Sequence, residues 1–174
     1  MSEVEHRDEI IVIGRKMIMV GGISESMLQS FCAHLAVLER KSKNPIILEL
    51  SSPGGNAYDA LAFAARIRTS SCVISVCAYG LVASAAVLVL AAGKKRLMSK
   101  EAWVMVHEDS GSIDGNTTDT RKWAAHMERL EYQWADLLSE MTKTSATKWR
   151  GLHNQTKYLT ADECLELGLV DEIF

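Results

Sequence analysis

Two residues of this 174-residue chain combine the type and setting that nucleophilic acyl transfer requires. A serine that attacks a carbonyl needs an exposed hydroxyl, a base within hydrogen-bond reach, and backbone donors aimed at the developing oxyanion. Ser84 lies in Gly80-Leu81-Val82-Ala83-Ser84-Ala85-Ala86, a strand-to-helix turn by its pattern. Free N–H groups and the positive end of a helix favour negative charge there. His107 ends the run Trp103-Val104-Met105-Val106-His107, where a side chain emerges from a strand end toward the same crevice. Each signal has a bland alternative: a serine at a helix start is usually an N-cap, and a lone histidine is usually structural. Gly54-Gly55 is either a plain turn or a point where backbone approaches a substrate carbonyl closely. His6, His34, His126 and His153 read as structural, being in a tail, on two helix faces and in a polar segment.

The elements that must position these residues follow from periodicity. Glu9 to Ile13 and Met17 to Val20 are short β-rich runs, and Ser24 is a helix N-cap after Gly21-Gly22. Met27, Phe31, Leu35 and Leu38 then line one helical face, which predicts a helix to about Lys43. Ile46 to Leu50 is a buried strand that breaks at Pro53-Gly54-Gly55, and a helix from about Ala57 to Thr69 follows. Val73 to Tyr79 reads as a strand with Gly80 as its turn, leading to an Ala/Val/Leu helix from Ser84 onward. Lys95 to Met98 and Trp103 to His107 are further strands, a polar loop runs from Glu108 to Asn116, and a long helix runs from about Thr117 to Lys143. Thr160-Ala161-Asp162-Glu163 is a capping-box signature, with Gly168 at the C′ position of that helix. Alternating strands and helices predict an α/β fold with a largely parallel sheet, in one domain spanning 1–174.

Composition narrows the function. With 48% hydrophobic and 24% charged residues the chain is of the soluble globular kind. Its longest apolar stretch, Leu81 to Gly93, is shorter than the roughly 20 residues a membrane-spanning helix needs. Met1 to Arg7 lack the apolar segment of a secretory signal, so a cytoplasmic location is expected. A net charge of −3 with scattered signs offers no basic stripe for nucleic acid. Cys32, Cys72, Cys77 and Cys164 show no metal-ligand spacing and are expected to be buried, reduced thiols. No metal and no cofactor is called for.

In their order along the chain, four motifs resemble the proteolytic subunit of the Clp protease family. These are Ser52-Pro53-Gly54-Gly55, Gly80-x-x-Ala83-Ser84-x-Ala86, Met105-Val106-His107, and Tyr158-Leu159-Thr160-Ala161 through Gly168-Leu169-Val170-Asp171. The resemblance covers about Met17 to the C-terminus. It implies the ClpP/crotonase-type α/β fold of repeated β-β-α units, with 117–144 as a long handle helix and 1–16 as a short N-terminal segment. Ser84 would be the nucleophile and His107 the base, with an oxyanion hole from the N–H groups of Gly55 and Ala85. The implied activity is peptide-bond hydrolysis in peptides or unfolded proteins, inside a homo-oligomeric chamber of one heptameric ring or two stacked ones, with a Clp-type ATPase as partner.

Three departures from the family pattern stand out. The catalytic aspartate expected before the aromatic-Leu-Ser/Thr-Ala segment is replaced by Thr156, the third catalytic position. Glu108-Asp109 replaces a Gln-Pro after the histidine. The stretch before Met17 is shorter than usual, so the axial loops that meet an ATPase are expected to be reduced, as in phage-type members. Thr156 or Asn154 is the expected acceptor for the second ring nitrogen of His107, with Asp109 next and Glu108 facing away. The alternatives to a serine peptidase are a non-catalytic ring subunit and a crotonase-type enzyme acting on acyl-CoA.

Overall fold

The computed structural model describes residues 10–108 and 115–174. Six strands lie side by side in the order β1 (Ile11–Ile13), β2 (Lys16–Val20), β3 (Ile46–Ser52), β4 (Ile74–Ala83), β5 (Lys95–Met98) and β8 (Glu172–Ile173). Two more, β6 (Trp103–Val106) and β7 (Lys157–Leu159), attach through β4. Strands β2 to β5 are parallel. Each parallel step needs a crossover, and α1 (Glu25–Lys41), α2 (Ala57–Arg68) and α3 (Ala86–Ala91) supply them.

The predicted face of α1 is buried at all four positions, Met27, Phe31, Leu35 and Leu38, and the Ser24 side chain accepts from Met27 N–H at the N-cap. Phe31 meets Phe63 of α2 with ring centroids 5.0 Å apart. The helix stops at Lys41 rather than Lys43. There the Arg15 guanidinium donates to the carbonyls of Leu38, Asn44 and Pro45, which satisfies the chain as it turns.

The structure corrects the reading of Gly80 as the end of a strand. β4 runs on to Ala83, and Gly80, at φ +55°, bends it without ending it. Two extra residues enter β4 here: Leu50 pairs with Ala78, but Ser52 pairs with Val82. Such a bulge turns a strand out of its sheet. The first half of β4 pairs with β5, and after the bend Leu81–Ala83 pair with Trp103–Met105 of β6. The helix expected from Ser84 begins at Ala86, and all six of its residues are buried.

The long helix is α4 (Thr117–Met141). Its later half buries Leu130, Trp134, Ala135 and Leu138, while most of the half before Leu130 is exposed. That outer half is tied to α2 by a 2.6 Å hydrogen bond between Tyr58 Oη and His126 Nε2. A helix absent from the sequence reading, α5 (Ala146–His153), follows with Ser145 as N-cap. The capping box expected at Thr160 and Glu163 opens α6 (Ala161–Glu166). Of the four cysteines, Cys72 and Cys164 are buried and Cys32 and Cys77 are partly exposed; all are free thiols.

Candidate active site

Ser84 sits where the bent end of β4 gives way to α3. Its N–H donates to Met105 carbonyl at 2.8 Å, continuing the β4–β6 ladder by one bond. Its own φ is +52°, in the left-handed region that L-residues seldom occupy. Strain of this kind, about 1–3 kcal/mol, persists where surrounding contacts over-determine the conformation. The serine is not an N-cap: α3 has no side-chain cap. Instead Ser84 Oγ faces His107 Nε2 at 2.9 Å.

A glycine loop from the end of β3 presses against the serine. Ser52, a buried hydroxyl, accepts from Gly54 N–H at 3.1 Å and holds the turn. Ile23 N–H donates to Gly54 carbonyl, and Asn56 N–H to Ile23 carbonyl, both at 2.8 Å. This parallel bridge between Ile23 and Gly55 turns the N–H of Gly55 to the opposite side. Both glycines have positive φ, +94° and +149°. A Cβ on Gly54 would lie 2.6 Å from Ser84 Cβ, and one on Gly55 would lie 2.2 Å from Ile23 carbonyl oxygen. Among the described residues the N–H groups of Gly55 and Ala85 donate to no acceptor. Two free amides beside a serine hydroxyl can receive an oxyanion.

His107 follows β6, and the antiparallel β7 pairs Lys157 with Val106. Continued one step, that register would bring Thr156 opposite His107, but the pairing ends at Lys157. Thr156 leaves the ladder there with φ +45°, and its side chain is exposed. Asn154, the C-cap of α5, is also exposed, as is Glu108. Asp109 lies outside the described residues. No described acceptor lies within hydrogen-bond distance of His107 Nδ1.

The side chains that enclose the serine–histidine pair were not all legible beforehand. A small cavity beside it is lined by Ser84, Ala85, Val106, His107, Glu131, Trp134 and His153. His153 read as an ordinary histidine of a polar segment, yet it is buried between Trp134 and Trp149, with ring centroids 6.4 and 6.5 Å away. Burial, and secondarily the charge of His107, pushes its pKa down to about 4. The available signal was the four-residue spacing of Trp149 and His153, one face of a short helix.

In this largely parallel α/β sheet the bent strand brings a serine within hydrogen-bond distance of a histidine, beside two amides that donate to no described acceptor. The family model described as Clp protease matches residues 5–174. A curated relative, the ATP-dependent Clp protease proteolytic subunit 3 of Rhodococcus jostii (strain RHA1), is 26% identical over 162 residues, which covers 91% of this chain and 80% of that protein. Among solved structures, a ClpP1 mutant from Listeria monocytogenes superposes with a TM-score of 0.85 at 23% identity, covering 92% of this chain and 91% of that one. The chain belongs to the Clp protease family, and its fold is the ClpP fold expected from the motifs.

Proposed function

We propose that this protein is a serine endopeptidase, with Ser84 as nucleophile, His107 as general base, and the N–H groups of Gly55 and Ala85 as oxyanion hole. The observation that carries the reading is the 2.9 Å approach of His107 Nε2 to Ser84 Oγ, made by a serine whose hydroxyl has no capping role. Ser84 Oγ attacks the scissile carbonyl carbon while Nε2 takes the hydroxyl proton. The carbonyl oxygen, now negative, faces the two free amides. The imidazolium returns the proton to the leaving amine nitrogen as the C–N bond breaks. Water, deprotonated by His107, then releases the acyl group from Ser84.

The chain acts as one peptidase domain in a homo-oligomeric ring, a heptamer or a stacked pair, on peptides or unfolded protein delivered by a Clp-type ATPase in the cytoplasm. Family membership supports this, as does the outer half of α4, most of it uncovered by the chain's own core. Among the described residues no helix is long and apolar enough to cross a membrane. A fluorophosphonate probe tests the activity: it labels Ser84 in an active peptidase and leaves the chain unmodified if the pair is inert.

A second reading, a ring subunit without activity, draws on the exposed Thr156 at the position where the motif resemblance implies a catalytic aspartate. Absence of labelling in a correctly assembled protein selects it.

A further inference from the structure

His107 has two ring nitrogens, and the structure partners only one. With Nε2 facing Ser84, a base that accepts the serine proton carries its own ring proton on Nδ1, which calls for an acceptor. Two neighbours also lack a hydrogen-bond partner for a ring nitrogen among the described residues, and of the three only the Trp134 nitrogen is fully sealed from solvent. Trp134 Nε1–H is buried with no hydrogen-bond partner. The His153 ring, in a residue only 7% exposed, makes aromatic contacts and no hydrogen bond. A buried polar group left unpaired, as Trp134 Nε1–H is, costs about 1–3 kcal/mol, and native folds seldom leave one without a protein or water partner. All three residues line one cavity of about 10 Å³. That is the space of one water molecule, provided two to four polar partners surround it.

We propose that His153 and Trp134 position His107 through a single water held in this cavity. The water accepts from His107 Nδ1–H and Trp134 Nε1–H, and it donates to the His153 ring and the Glu131 carboxylate. Two donors and two acceptors fill its tetrahedral capacity. The titratable groups that face the cavity are His107 after β6, Glu131 from α4 and His153 from α5. His153 stays neutral at physiological pH, because burial holds its pKa near 4, and so keeps an acceptor lone pair. The water fixes the tautomer and ring plane of His107, and its oxygen faces the imidazolium during attack. His153 and Trp134 are thus positioning residues. Thr156, exposed and off the ladder, is not required for this role.

The inference rests on the serine-peptidase reading, and one experiment separates the two. Fluorophosphonate labelling rates of Ser84 are measured against pH in the assembled wild type and in His153→Leu, His153→Gln and Trp134→Phe. Losing one water-mediated hydrogen bond to the base slows His153→Leu by about tenfold at neutral pH. Its acid limb moves to lower pH, because the imidazolium loses support. His153→Gln, which keeps an acceptor, recovers most of the rate. Trp134→Phe, which deletes only the N–H, slows labelling a few-fold and carries the test if His153→Leu does not fold. Wild-type rates and an unchanged pH profile in folded variants overturn the water-mediated link and leave the peptidase reading standing. A wild type that never labels overturns both.

Discussion

Gly54 and Ser84 are packed so closely that a Cβ on the glycine would come within 2.6 Å of Ser84 Cβ and 2.7 Å of Ala83 carbonyl oxygen. Neither neighbour is the flexible end of a side chain, so the loop itself has to retreat. Gly54 also sits at φ +94°, where alanine is strained even with space. Gly54→Ala is therefore expected to shift the Gly55 amide away from the serine. A displacement of about 1 Å costs on the order of 100-fold in rate. Labelling of Ser84 by a fluorophosphonate measures this, and a wild-type rate in the variant would mean that the glycine loop does not shape the site.

Ser84→Ala should abolish peptide hydrolysis and leave the thermal midpoint almost unchanged. The Ser84 hydroxyl caps no helix, its one hydrogen bond is to His107, and its N–H to Met105 survives the substitution. The stability change should stay within about 1 kcal/mol. Hydrolysis at the wild-type rate by the purified variant removes Ser84 from the mechanism.

What the sequence made legible tracks how local each determinant is. The α1 face and the α6 capping box are set by residues within a few positions, and both lie where the pattern puts them. The Ser84–His107 approach was legible only through motif order, since 23 residues separate the pair and a branching sheet joins them. Gly80 misled because a glycine after an apolar run reads as a stop, whereas here it accommodates two extra residues inside β4. His153 was hidden by composition. Six of the eight residues of Ala146–His153 are polar, charged or small, which leaves the buried Trp149 and the partly buried Leu152, so the local signal of a buried face was confined to the four-residue spacing of Trp149 and His153.

Thr156→Asp should raise the peptidase rate. The β6–β7 pairing ends at Val106 and Lys157, so residues 107 and 156 lie directly beyond it on adjacent segments, and a carboxylate at 156 is expected to reach toward Nδ1 and stabilise the imidazolium. The backbone favours the change as well: at φ +45° a β-branched residue is strained, while aspartate tolerates the left-handed region. An unchanged rate in a folded, assembled variant counts against residue 156 facing His107.

Assembly should depend on the outer half of α4. Trp123 and Met127 continue the stripe of Leu130 and Trp134, yet they are only half-buried within one chain. Light scattering at micromolar concentration should give a mass several times 19.2 kDa, and Trp123→Glu should shift it downward. A clean monomer in the wild type refutes the ring.

The low pKa of His153 has a consequence for stability that is independent of catalysis. Its folded value is about 4 against an ordinary 6.5, depressed because burial disfavours the charged ring. Between these two values the unfolded chain binds a proton at this position and the folded one does not, so stability rises with pH. The neutral ring is fully tolerated above pH 6.5, and stability falls progressively as pH drops from 6.5 to about 4. Below that both states are protonated and the contribution is constant. A difference of this size amounts to about 3 kcal/mol across the window. Thermal midpoints measured from pH 8 to pH 4 should therefore fall more steeply in the wild type than in His153→Leu, which has no proton to bind. The carboxylates contribute their own slope lower down, Asp171 among them, because Arg96 beside it holds its carboxyl below the usual range. That slope is common to both proteins, so the difference between the two curves isolates His153. Parallel curves from pH 6.5 to 4 would show that the His153 ring accepts a proton in the fold as readily as in water, and that it is not sealed between Trp134 and Trp149.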